Sequence, residues 1–332
     1  MGRDADAVCV APATADFIAR AAHGRADDLL CTILLATRAP VVICPAMNDR
    51  MFAHPQVQEN LDHLRSRLEY DVAGPVHGAL AAGEGEGPGR MLEPHWIVEA
   101  IGRALGCDPR WDGLHVLVTA GPTREPIDPV RYVGNRSSGR MGHAIARAAW
   151  RRGAHVRLVS GPSSLEAPFG VEHVPVETAR DMHVAVVDGI PAADVSIFAA
   201  AVSDFRPVDP VEQKVKRDAT GGELTVVMTA NPDVAAETVA LRKLGGIAVG
   251  FALETADLLA NARRKLEAKS FDLLVANDAT DDGAGFDTDT NRVTILARDG
   301  SQESLPLMSK NDVAEEILDR VEHLLPSPIL DG

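Results

Sequence analysis

Residues 116–142 read V-L-V-T-A-G-P-T-R-E-P-I-D-P-V-R-Y-V-G-N-R-S-S-G-R-M-G. An apolar stretch over 116–119 has the pattern of a buried strand. It turns at Gly121-Pro122 and enters a loop rich in Arg, Pro and Asp. Ser137, Ser138 and Gly139 then precede a helix that begins near Met141. Strand, small-residue turn and helix N-terminus together make an anion site: unpaired backbone N–H groups converge with the positive end of the helix dipole, and glycine lets a phosphate approach the backbone. A plain N-cap at the serines is compatible with that reading, because the cap geometry is also a binding geometry. Arg124, Arg131, Arg136 and Arg140 add planar cations suited to carboxylates or phosphates.

Further groups of the right type follow. Ala199, Ala200 and Ala201 end another apolar run and lead to Asp204. Small residues let a flat base lie against the backbone, and an aspartate suits ribose hydroxyls. Asn231-Pro232-Asp233-Val234 opens a helix that adds N–H donors. Lys265 and Lys269 are spaced i, i+4 and share one helix face, which on a generic helix would carry solvated charges. Lys214-Val215-Lys216-Arg217 is by composition a solvated basic strand.

The elements that must position these groups alternate. Strands are expected over 116–119, 156–160, 195–199, 224–228, 248–251, 273–276 and 293–296, and helices over 141–152, 179–189, 257–269 and 312–325. Such βα alternation with apolar strands implies an α/β fold, a Rossmann-like, doubly wound, mostly parallel sheet that binds ligands at its strands' carboxyl ends. Upstream, strands are expected over 5–10 and 41–44 and helices over 54–68 and 97–105. These are too few for an independent doubly wound domain and read as the rear half of a flavoprotein-type α/β domain. The expected division is a first module over 1–105, a linker over 106–113 and a second module over 114–332.

Gross properties narrow the function. The 332 residues are 45% hydrophobic, enough for two cored domains. A formal charge of −15 argues against nucleic acid, which demands a basic face. No apolar run approaches a membrane span and no signal peptide precedes the first module, so a cytoplasmic protein with small anionic ligands is expected. Of Cys9, Cys31, Cys44 and Cys107, the first three sit inside apolar strings with no metal-like spacing and read as small buried hydrophobes in a reducing compartment.

The second module resembles bacterial phosphopantothenate–cysteine ligases, the second domain of a bifunctional family of coenzyme A biosynthesis. The resemblance rests on the 121–142 segment together with A-A-A-V-S-D-F, E-Q-K-V-K-R, N-P-D-V, V-G-F-A-L-E-T and A-N-D, in that order. It implies a ligase that activates phosphopantothenate with CTP as an acyl-cytidylate and couples it to cysteine, with Mg²⁺ accompanying the triphosphate. It implies Asn135 and Lys214 as catalytic, the first handling the acyl-cytidylate. It implies a nucleotide site of Gly121, Ser137, Ser138, Gly139, Ala199, Ala200, Asp204, Lys214, Pro232, Asp233, Val234, Phe251, Lys265 and Lys269. Asp128 and Arg131 would contact phosphopantothenate, their loop reaching across a homodimer interface. CTP over ATP rests on the resemblance alone, and the metal ligands stay open.

The first module resembles the later half of the family's flavin-dependent phosphopantothenoylcysteine decarboxylase, through A-P-A-T-A-D, A-D-D-L-L, P-A-M-N-D-R-M-F and G-P-G-R-M. That implies FMN along 11–14 and a substrate carboxylate at Asn48. Two departures stand out. The family's catalytic histidine would precede a segment resembling 2–8, and L-A-A-G stands where the family carries L-A-C-G, with Ala82 at the acid. Alanine cannot donate a proton to the enethiolate formed on decarboxylation. The expectation is therefore an N-terminally truncated protein with an active ligase and a silent first module. The alternatives are a full bifunctional enzyme with a misplaced start, and a non-catalytic nucleotide- or flavin-binding subunit.

Overall fold

The computed structural model describes residues 4–81, 83–216, 223–254, 258–278 and 288–326. Ala82, Arg217, Thr255 and Asp257 of the motifs above lie outside them. The chain divides into two compact units, Met1–Cys107 and Asp108–Gly332.

In the first unit β1 (Val8–Ala13), β2 (Val41–Pro45) and β3 (Asp71–Val72) form a parallel sheet in that order. β1 lies later than the expected 5–10, because Ala13 still pairs with Pro45 before the chain turns. Thr14 then caps α1 (Ala15–Ala22), its Oγ1 accepting from the Phe17 amide at 3.2 Å. Asp28 caps α2 (Leu29–Ala36) in the same way at 2.8 Å. These two short helices give no long amphipathic repeat; their signal is the capping residue. α3 (Asp49–Phe52) and α4 (Pro55–Arg67) follow β2, then a hairpin of β4 (Val76–Ala79) and β5 (Glu86–Arg90), then α5 (Pro94–Gly106). Val10, Ile18, Ile43, Leu61 and Leu64 are the heart of this core.

The second unit opens on β6 (His115–Ala120), a short hairpin of β7 (Arg124–Pro126) and β8 (Tyr132–Gly134), and α6 (Arg140–Arg151). β9 (His155–Ser160), β10 (Glu172–Pro175), α7 (Ala179–Gly189) and β11 (Val195–Phe198) come next. A ribbon of β12 (Phe205–Pro207) and β13 (Met228–Ala230) leads to α8 (Val234–Glu237), β14 (Ile247–Glu254), α9 (Leu258–Ala268) and β15 (Leu273–Asp278). The last elements are β16 (Thr290–Asn291), β17 (Val293–Ala297), β18 (Gln302–Ser304), β19 (Met308–Ser309) and α10 (Lys310–Leu324).

Eight of the described strands form one sheet in the order β10-β9-β6-β11-β14-β15-β17-β18. The first six are parallel, and β17 and β18 run antiparallel at one edge. Numbered by appearance, the parallel six are arranged 3-2-1-4-5-6, the doubly wound order, so the connections reverse direction between β6 and β11. Both faces are apolar. Val116 and Val118 of β6 pack with α6 and α10, while Leu117 packs with α7 and α9. That is why these strands read as unbroken apolar runs.

Two expectations are corrected. The strand expected over 224–228 is not in the sheet: only β13 forms, paired antiparallel with β12, and Leu224 and Val227 are exposed. Its β-branched composition gives strand propensity, but neither face is covered. Trp111, inside the segment read as a linker, is fully buried. Its indole N–H donates to Glu322 of α10 at 2.8 Å, and the Arg152 guanidinium lies 5.6 Å over its ring. Trp111→Ala is expected to lower unfolding free energy by about 3–5 kcal/mol, as truncation of a large buried aromatic does. Trp111→Phe should lose less, both read from urea midpoints.

Candidate functional site

Helix α6 carries the central device. Gly139 is its N-cap residue, at φ +78°, and no side chain caps the helix. A left-handed N-cap is open to glycine with little strain. The Ser137 hydroxyl accepts from the Gly139 amide at 3.3 Å, and Ser163 donates to the Ser138 carbonyl at 2.9 Å. Neither serine therefore acts as the plain N-cap, and the first turn of the helix presents backbone donors to whatever lies beyond it. His143, one turn in, sits 3.0 Å from the Gly139 carbonyl through Nδ1. Burial holds its pKa below the ordinary histidine value, so it adds no charge at neutral pH.

A cavity of about 550 Å³ opens at the carboxyl ends of β6 and β11, within the usual size range of ligand pockets. It is lined by Asn135, Ser137, Ser138 and Gly139 on one side and by Ala199, Ala200 and Asp204 on the other. Pro232, Asp233, Val234, Phe251, Lys265 and Lys269, which the resemblance also implied, line it too. β11 is stitched to β6 below this floor. The Ala200 amide donates to Thr119 Oγ1 at 3.2 Å, Ala201 to the Gly121 carbonyl at 2.9 Å, and Ser203 to Thr123 Oγ1 at 3.0 Å.

Asn135 donates both amide hydrogens, to the Ala201 and Val202 carbonyls at 3.3 and 3.0 Å. The side chain is thus held with its carbonyl oxygen as the acceptor left for a ligand's N–H. Asp233 caps α8, accepting from the Ala236 amide at 3.1 Å, and pairs with Lys269 at 2.8 Å. Burial alone would push its carboxyl up, but the Lys269 ammonium and the helix amides outweigh burial and hold it below the usual aspartate range. Lys269 therefore enters the cavity already paired.

Other nominated residues lie elsewhere. Gly121 is buried under the floor, at φ +75°, where a Cβ would come within 3.0 Å of the Gly161 carbonyl oxygen. Lys214 is exposed and is not part of the cavity wall. Asp128 and Arg131 are also outside it; the Asp128 carboxylate is buried and wholly engaged with its own loop and the Val215 amide. Asn48, in the first unit, caps α3 through Oδ1, accepting from the Arg50 amide at 2.9 Å, which leaves its Nδ2 as a donor. Thr119, Asn291 and Lys310 also line the cavity without having been nominated. Lys310 reaches it from the last helix, and nothing local in the sequence marks that proximity. Among the described residues no group of three or more His, Cys, Asp or Glu is placed to hold a metal ion. No helix of the described residues is long and apolar enough to cross a membrane.

Residues 111–325 match the family model for the DNA/pantothenate metabolism flavoprotein C-terminal domain, and residues 1–106 match that for flavoproteins. The coenzyme A biosynthesis bifunctional protein CoaBC of Vibrio vulnificus is 46% identical over 97% of this chain and 79% of its own length. The protein of the same name from Bacillus subtilis is 46% identical over 96% of this chain and 78% of its own. Among solved structures, the C-terminal domain of a coenzyme A biosynthesis bifunctional protein CoaBC matches at TM-score 0.56 and 38% identity, covering 66% of this chain and 98% of that one. The DNA/pantothenate metabolism flavoprotein of Streptococcus pneumoniae, at TM-score 0.53 and 22% identity, shares the fold.

The Asp233–Lys269 pair generates a measurable expectation. A carboxyl held below its unfolded value contributes stability that is complete above the ordinary aspartate pKa and is lost as pH falls through the folded one. Lys269→Met should raise the Asp233 titration midpoint, followed by carboxyl NMR, and should shrink the loss of stability on acidification below the usual aspartate range. An unchanged midpoint would remove Lys269 as the main opposing charge.

Proposed function

The chain belongs to the family of bifunctional coenzyme A biosynthesis proteins, and from that premise we propose that its second unit joins phosphopantothenate to cysteine at the expense of CTP. One observation carries this reading: the uncapped N-terminus of α6 opens into the same cavity as Asn135, Asp204, Lys265 and Lys269. A carboxylate is a poor acyl donor. Its oxygen attacks the α-phosphorus of CTP, the bond to pyrophosphate breaks, and an acyl-cytidylate forms. The cysteine nitrogen then attacks the acyl carbon, CMP leaves, and the amine gives up a proton. Both steps require two anions to be held together, the work of preorganised donors and cations.

In this reading the amides after Gly139 and the Ser137–Ser138 turn hold phosphate, Ala199 and Ala200 give the base a flat wall, and Asp204 takes the ribose. Lys265 and Lys269 lie along the triphosphate, and Mg²⁺ accompanying the nucleotide would add positive charge to the transferring group. The Asn135 carbonyl oxygen accepts from the incoming cysteine amine. Lys214 swings in as a cation on the transferring group during the first step. The hairpin bearing Val130, Tyr132 and Val133, all exposed, is the proposed face for a second copy of the chain.

For the first unit we favour the bifunctional role over a silent module. Relatives aligned with this chain over more than three quarters of their own length carry that description, and residues 1–106 match the flavoprotein family model, although alanine stands at position 82. The described residues fit part of a flavin site. Ala11 and Pro12 are small and exposed at the end of β1, and Asn48 keeps an N–H donor that suits a carboxylate. FMN, when bound, supplies the oxidising chemistry that makes loss of carbon dioxide easy.

Pyrophosphate release from CTP that depends on phosphopantothenate tests the ligase reading directly, and its absence in the whole chain would end it. Asn135→Asp should still form acyl-cytidylate yet couple cysteine poorly; normal overall turnover would remove Asn135 from the second step. Lys214→Gln should slow pyrophosphate release by on the order of 10² to 10³, the usual effect of losing a transition-state donor. With FMN added, carbon dioxide release from phosphopantothenoylcysteine is the expected result for the first unit. No release from the FMN-loaded chain would return the reading to a silent module.

A further inference from the structure

Asp128 holds the most heavily used carboxylate among the described residues of the second unit's loops, and none of its bonds faces the cavity. Its side chain is fully buried. Oδ1 accepts from the Val130 and Arg131 amides, both at 2.8 Å, which closes the loop on itself. Oδ2 accepts from the Arg131 guanidinium at 2.7 Å and from the Val215 amide at 3.2 Å. The same Arg131 Nη1 donates to the Val215 carbonyl at 3.1 Å, so both backbone groups of Val215 are gripped by one ion pair. A second tie lies nearby, the Val211 amide donating to the Ile127 carbonyl at 3.0 Å. Residues 211–215 are thereby fastened to the 127–131 loop, whose other end continues through β8 to Asn135.

We propose that Asp128 is a positioning residue for Lys214: its two oxygens divide the labour, one shaping the loop and the other, with Arg131, fixing the backbone from which the lysine side chain departs. The inference rests on the ligase reading above. An exposed lysine has four rotatable carbons and loses much side-chain freedom on docking. Anchoring the next residue on both sides removes the backbone share of that loss and keeps the ammonium within reach of a single locus. A carboxylate suits the task because it is an acceptor at both oxygens; any group with a donor there would face the Val215 N–H and the guanidinium with the wrong polarity.

The division of labour makes a selective variant available. Asp128→Asn keeps an acceptor for the Val130 and Arg131 amides but turns N–H₂ toward Val215 and Arg131. In the whole chain this variant should keep a native circular dichroism spectrum and lose protection of the Val215 amide in hydrogen exchange. Pyrophosphate release from CTP should slow about 10- to 100-fold, the scale of a misplaced catalytic group. Coupling of cysteine to preformed acyl-cytidylate should be unchanged. Asp128→Asn combined with Lys214→Gln should be no slower than Lys214→Gln alone, because both act through one side chain. Val215→Pro, which deletes the same N–H from the other end, should reproduce the effect if Asp128→Asn fails to fold.

Other results overturn the inference. If the two substitutions multiply, and the Michaelis constant for phosphopantothenate rises while turnover holds, Asp128 serves the substrate and not the lysine. Equal slowing of both half-reactions would make it a general structural residue. If wild-type chain releases no pyrophosphate, the ligase reading fails first and takes the catalytic part with it. Val215 exchange in Asp128→Asn then reports separately on the clamp.

Discussion

Helix α6 lies against β6 at backbone contact. A Cβ on Gly142 would fall 2.5 Å from the Ala120 Cβ and 3.0 Å from the Thr119 carbonyl oxygen, so no larger residue fits without moving the helix. That closeness decides where the helix N-terminus points. With α6 drawn down onto the strand, its open first turn meets the carboxyl end of β11 and not bulk solvent. The floor between them can then be tied by the Ala200 and Ser203 amides, which donate to Thr119 Oγ1 and Thr123 Oγ1. A helix one side chain farther out would leave those threonines unable to govern the site, and the donors of the first turn would be hydrated.

Charge is arranged on the same logic. The chain is strongly acidic as a whole, yet the cavity wall gathers Arg140, Lys265, Lys269 and Lys310. Asp233 tempers Lys269, and its own carboxyl is kept ionised by that contact against the push of burial. A locally cationic recess thus sits in a molecule of net negative charge, an arrangement in which contact geometry, more than long-range steering, would select an anion.

Much of this was legible in the residues. The apolar runs of β6, β9, β11, β14 and β15 announced themselves because both faces of the sheet are covered, and the N-R-S-S-G turn marked the start of α6, whose N-terminus lines the cavity. The edge strands β10 and β18 did not, since Glu172, His173, Gln302 and Glu303 face solvent and carry no apolar repeat. The strand expected over 224–228 failed for the converse reason, propensity without a covering layer. For the site, thirteen of the positions implied by the family resemblance line one cavity wall. Asp128 shows the limit. Its motif marks it as important, but only the fold reveals that its carboxylate is buried beneath Val215. Lys310 arrives from a helix far along the chain, and no local pattern carries that information.

The bond between Trp111 and Glu322 joins residues 211 positions apart. It ties the threshold of the second unit to its final helix, and α10 packs on α6 across the face that includes Val313, Ile317 and Val321. A ribosome makes these parts in the opposite order from the one their packing needs. While the chain is being synthesised, the face of β6 and α6 that α10 will cover is complete in sequence but bare, with an indole N–H waiting for its acceptor. The unit's largest core cannot close until α10 has been made and has cleared the exit tunnel. A chain interrupted before α10 would therefore present the apolar face of β6 and α6 to chaperones and proteases.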